Sequence, residues 1–95
     1  MRRTLDGMAD DGADGVGSTL ERTIEELLDA RAATSSICPS DAARSVDPEG
    51  WRDLMDAARG AAGRLAVAGR VEVTQRGEVV DVATARGPVR IRRPR

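Results

Sequence analysis

Apolar residues recur at helical spacing in two stretches of the chain and alternate with polar ones in a third. Leu20, Ile24, Leu27 and Leu28 follow at intervals of one, three and four, and Ser18 with Glu21 matches the S-x-x-E box that caps a helix start. The spacing predicts a first helix over residues 19–33 with Glu21, Glu25, Glu26 and Asp29 on its outer face. A second stripe, Trp51, Leu54, Met55, Ala58, Ala62 and Leu65, predicts the longest helix. Asp47 is its expected N-cap, Pro48 its first residue and Gly69 its C-terminal cap. Between these, Ser36-Ile37-Cys38 reads as a short extended piece, and Pro39 opens a helix reaching about Ser45 that buries Ala42, Ala43 and Val46.

Beyond Gly69 the period changes to two. Val71 and Val73 alternate with Glu72 and Thr74, and Val89 and Ile91 with Arg90 and Arg92, which turns the four aliphatics to a core and the arginines to solvent. Arg76-Gly77 offers a turn. Two pairings fit: a tight hairpin closing at Gly77, or a longer wing in which residues 71–75 pair with 89–92. Gly87-Pro88 delimits the last strand and favours the longer wing. Residues 1–18 hold four glycines, four aspartates and no apolar period, and are expected as a flexible tail outside a domain spanning 19–93. The order helix, short strand, helix, tight turn, helix, hairpin predicts a mainly α, α+β fold of winged helix-turn-helix type, three helices with a small antiparallel sheet.

Three strings carry a family resemblance: SSICPSDAAR (residues 35–44), WRDLMDAARGAAGRLAVAGRVEVTQRGEVVD (51–81) and ATARGPVRIRR (83–93). They resemble a small bacterial family known as a domain of unknown function, DUF3253, over roughly residues 20–93. The motifs ICPS, VTQRG and ATARGP are specific as a set. The resemblance implies a winged-helix-like fold and brings no activity, ligand or catalytic residue.

Composition narrows the chemistry. Of the 95 residues 40% are hydrophobic, yet there is one Trp and no Phe or Tyr, so the core is expected from Ala, Val, Leu and Ile around Trp51. All fifteen basic residues are Arg and there is no His. The usual general base and the partner of Ser or Cys nucleophiles are therefore missing, and with no Lys there is no Schiff base or Walker lysine. One Cys without His excludes ordinary structural zinc sites and internal disulfides. No apolar run approaches a membrane span, and the chain reads as cytoplasmic, with no metal and no cofactor expected. Gly15-Val16-Gly17-Ser18-Thr19 approaches the G-x-G-x-x-G phosphate loop, but Leu20 stands at the third glycine and no strand precedes it, so a linker ending in a helix cap is preferred. Cys38 before Pro39 has the place of a nucleophile at a helix start; an apolar packing role is preferred.

The net charge of -1 hides a gradient: residues 70–95 carry seven Arg against three acids, whereas residues 19–69 carry six Arg against nine. With the winged-helix order, this points to duplex DNA as a partner, in a regulator of transcription, with Arg52 and Arg59 of the third helix and Thr74, Gln75, Arg76, Arg86, Arg90 and Arg92 of the wing as candidate contacts. Asp53 and Asp56 on the third helix weaken that case. Gly60 and Gly63 admit either a close backbone approach or compositional drift. Scarce aromatics disfavour single strands and RNA loops. The rival expectation is a module for protein interaction or assembly, a homodimer included, in which a basic wing and an acidic first helix associate between copies.

Overall fold

In the computed structural model, which describes residues 11–95 and side chains from Gly15 onward, the chain forms three helices and one four-stranded antiparallel sheet. Helix α1 spans Asp11–Asp29, strand β1 Ser36–Ile37, and helix α2 Pro39–Val46. A short 3-10 helix, Trp51–Leu54, leads into helix α3, Met55–Val67. Strands β2 (Glu72–Gln75), β3 (Glu78–Val79) and β4 (Arg90–Arg92) complete an α+β fold, mainly α, compatible with a winged-helix-like arrangement. Residues 1–10 of the expected tail lie outside the described residues. Among the described residues no helix is long and apolar enough to cross a membrane.

The three helices enclose a core without aromatic rings. Leu20, Ile24 and Leu28 of α1 meet Ala42 and Ala43 of α2 and Ala58, Ala61, Ala62 and Leu65 of α3, all buried. Alanine on α2 and α3 lets the helix axes come close, so the larger aliphatics of α1 fill the space between them. The sheet closes the remaining side with Ile37, Val71, Val73, Val89 and Ile91. The two-residue period thus turns the aliphatics inward as expected. Trp51, expected at the centre of the core, is only half-buried and packs at its margin.

The strand order is β1-β4-β2-β3, and both expected pairings of β2 exist together. One edge of β2 pairs with β3 across the tight turn, Gln75 opposite Glu78; the other pairs with β4, Val73 opposite Ile91. Strand β1 adds to β4 with Ile37 opposite Ile91. Cys38, which follows it and precedes Pro39, is extended as well (φ -97°, ψ 154°), because the position before a proline disfavours the α region.

The helix ends differ from their sequence signals in three places. Helix α1 starts upstream of Ser18, which is therefore no N-cap, and the run Gly15–Thr19 is helix interior and neither loop nor linker. The hydroxyl of Thr19 donates to the Gly15 carbonyl at 2.8 Å, and Gly17 is buried where the Arg64 guanidinium lies against the helix. At its other end α1 stops at Asp29, short of residue 33. Its final turns carry Glu25, Glu26 and Asp29 with no basic residue, the wrong sign for a helix C-terminus. Asp47 does cap, its Oδ1 accepting the amides of Glu49 (3.2 Å) and Gly50 (2.9 Å). The turn it caps runs on through the 3-10 helix before α3 begins at Met55. Gly69, at φ 78°, ends α3 in a Schellman motif: its amide donates to Ala66 and that of Arg70 to Leu65.

Candidate nucleic-acid interface

The wing expected from the sequence falls on β2, β3, β4 and the long connection between β3 and β4. A two-residue turn joins β2 to β3, and both its residues have positive φ, 56° at Arg76 and 83° at Gly77, as the type I′ geometry of such hairpins requires. Glycine adopts this conformation freely; for arginine it costs roughly 1–2 kcal/mol. Arg76 is exposed, and its guanidinium has no partner among the described residues. Next to it Gln75 donates from Nε2 to the carbonyls of Arg86 and, at 3.1 Å, Pro88. These bonds hold the β3–β4 connection against the hairpin and bring the exposed Arg86 close to the same end of the sheet. The Arg86 side chain is likewise without a partner among the described residues.

The remaining sequence candidates are placed otherwise. Thr74 is 5% exposed and is the buried polar residue of the sheet. Arg90 is exposed but lies over β1, its three nitrogens donating to Ser36 Oγ (2.9 Å), the Ser36 carbonyl (2.9 Å) and Cys38 Sγ (3.0 Å). Arg92 pairs with Glu72 at 2.9 Å. Arg59 donates to the carbonyls of Ala85 (2.8 Å), Gly87 (3.1 Å) and Val82 (3.5 Å), so α3 holds the wing connection through this one side chain. Arg52 is exposed and stacks on Trp51, with Arg44 against the same ring; the guanidinium carbons lie 4.5 and 4.3 Å from its centre.

The arginines around β4 are answered from α1. Glu25 accepts from Arg70 and Arg93, and Arg93 also pairs with Asp29. The guanidinium of Arg70, then that of Arg93, hold the Glu25 carboxyl below its usual value, and the carboxylates raise both arginines further above theirs. The acidic first helix and the basic C-terminal segment thus meet within one chain. Cys38 is half-buried at the start of α2, where its amide donates to Asp41 Oδ2 at 2.9 Å, a reciprocal capping contact not anticipated from the sequence. Among the described residues no three His, Cys, Asp or Glu side chains converge as a metal site would require.

The family model for the protein of unknown function DUF3253 matches residues 17–94, from the first turns of α1 to the residue after Arg93. The chain belongs to the DUF3253 family. A search of curated proteins finds no match. The three strings that carry the resemblance take distinct places in this DUF3253 fold. ICPS forms the β1–α2 junction, VTQRG the β2 strand and its turn, and ATARGP the connection that Arg59 and Gln75 tie down.

The outward face of α3 in this DUF3253 chain is not basic. Asp56 is exposed along it and Asp53 on the 3-10 helix that leads into it, Arg59 is turned to the β3–β4 connection, and Arg64 pairs with Glu21 of α1. Between α3 and residues 81–83 lies a mainly apolar groove of about 540 Å³. Gly63 is explained there, because a Cβ would stand 3.0 Å from Val82 Cγ1, and so the close approach left open by the sequence is that of a neighbouring side chain.

Proposed function

We propose that this protein is a non-catalytic, cytoplasmic binding domain of winged-helix type whose wing holds the phosphates of duplex nucleic acid through Arg76 and Arg86. One observation carries the reading: a non-glycine residue occupies the left-handed position at the hairpin tip, exposed and without a partner among the described residues. Stability alone favours Gly or Asn there, and strain retained at an exposed tip is characteristic of a contact residue. Gln75 supports the same site by positioning Arg86, and its own amide is thereby engaged within the fold.

The reading differs from insertion of α3 into a major groove. Asp56 on that helix and Asp53 just before it repel a phosphate backbone, and the donors of Arg59, Arg90 and Arg92 already have acceptors. Thr74 is buried. Two direct phosphate contacts give weak, strongly salt-dependent association with little sequence selectivity. The absence of His and Lys supports a role without catalysis.

Anisotropy of a labelled random duplex titrated with protein at low salt tests this. A dissociation constant of roughly 1–100 µM, weakened by Arg76→Gly and by Arg86→Ala, is expected; a flat titration removes the reading. A protein partner is favoured by a separate observation, the α3 groove.

A further inference from the structure

The groove along α3 is independent of the wing tip, and its floor and rim have opposite characters. Gly60 and Gly63 leave the helix backbone bare, Val82 and Ala83 form the opposite wall, and Val67 at one end is 92% exposed. At Gly63 a Cβ would crowd Val82 Cγ1 at 3.0 Å. At Gly60 it would meet only Arg64 Nη1 at an ordinary 3.6 Å, and alanine would suit the helix better. At about 540 Å³ the groove is as large as sites that bind small organic molecules, which leaves room for a side chain or two of another molecule.

The charges at the groove are unequally answered. Arg59 donates to three carbonyls and Arg64 to Glu21. Among the described residues the Asp56 carboxylate has no partner, and that of Asp81 accepts only the backbone amide of Ala83, at 2.9 Å. Glu21 neutralises Arg64, and the carbonyls engage the donors of Arg59 without cancelling its charge. Asp56 and Asp81 thus stand against one remaining cation, and the rim carries a net negative charge that favours cations over phosphate.

We propose that this groove docks a segment of a partner protein in which one or two aliphatic side chains are flanked by lysine or arginine. The aliphatic groups lie on Gly60 and Gly63 against Val82, and the flanking cations meet Asp56 and Asp81. A groove that excludes water from its floor while leaving the carboxylates at its edge matches an interface with an apolar centre and a polar rim.

The test is an amide NMR titration of the full chain with two capped pentapeptides, KLALK and its acidic counterpart ELALE. KLALK is expected to shift the amides of Gly60, Gly63, Val82 and Ala83 with a dissociation constant below about 1 mM, ELALE not, as the charge complementarity requires. The double variant Asp56→Asn, Asp81→Asn is expected to weaken KLALK at least about threefold, and Gly60→Leu, whose remaining spectrum reports folding, to abolish it. Equal shifts with both peptides, no shift, or shifts confined to other surfaces overturn the proposal. So does the appearance of the same groove shifts when the protein alone is concentrated, because a second copy is then the occupant.

Discussion

Glu25 in the last turns of α1 and Arg93 just beyond β4 form a 2.8 Å ion pair that ties the first helix to the end of the chain. Arg70, one residue past the cap of α3, shares the same carboxylate. Helix, sheet and the α3 terminus therefore meet at one acidic side chain. The positive excess of the C-terminal segment is balanced on this side of the molecule and left open at the wing tip.

Acid should reveal the Glu25 link. Its carboxyl lies below the ordinary value of 4.5 because Arg70 and Arg93 hydrogen-bond to the charged form. A depressed carboxylate stabilises the fold fully above its unfolded value, and that contribution is lost as pH falls through the folded one. Wild type should exceed Glu25→Gln in Tm at pH 7, and the gap should narrow below about pH 4.5. Thermal unfolding followed by circular dichroism across pH 2–7 measures it; a gap independent of pH contradicts the assignment.

Arg59→Ala should loosen the wing connection. Three carbonyls lose a charged donor, and a loss of about 1–3 kcal/mol follows, with faster hydrogen exchange over residues 81–88. Arg59→Lys should restore little of this, because one ammonium cannot reproduce the fork of a guanidinium. Exchange rates unchanged in both variants would sink the idea.

The two glycines of α3 should answer differently to alanine. Gly60→Ala meets no obstacle and should stabilise by about 1 kcal/mol, a Tm rise of roughly 4–8 °C for a domain of this size. Gly63→Ala drives its Cβ to within 3.0 Å of Val82 Cγ1 and should gain nothing or lose stability. Equal Tm changes would contradict the packing described at Val82.

What could be read from the sequence was local. The alternation of Val71, Val73, Val89 and Ile91 orients the sheet, and Gly69 ends α3 because only a residue at ease with positive φ can close the Schellman turn. The start of α1 could not be read, since glycine content argues for a tail while burial of Gly17 under Arg64 is a tertiary fact. The candidate interface was legible only as a set of arginines. Which of them are engaged depends on partners far along the chain: Ser36 for Arg90, Ala85 for Arg59, Glu25 for Arg93. Spacing and composition carry no trace of those distances. The turn at Arg76-Gly77 was visible, but both residues having positive φ was not.

Arg76→Gly separates stability from binding. Glycine is at ease at φ 56°, so Tm should hold or rise slightly while affinity for duplex DNA falls. Loss of both together would mark Arg76 as a structural residue of the hairpin.

The most direct test of the wing reading is the salt dependence of duplex binding, taken as the slope of log K against log salt. Two phosphate contacts predict a slope of about -2 for the wild type, falling to about -1 in Arg76→Gly or Arg86→Ala. A slope near zero, or one of about -4 or steeper that neither variant changes, would show that Arg76 and Arg86 are not what holds the phosphates.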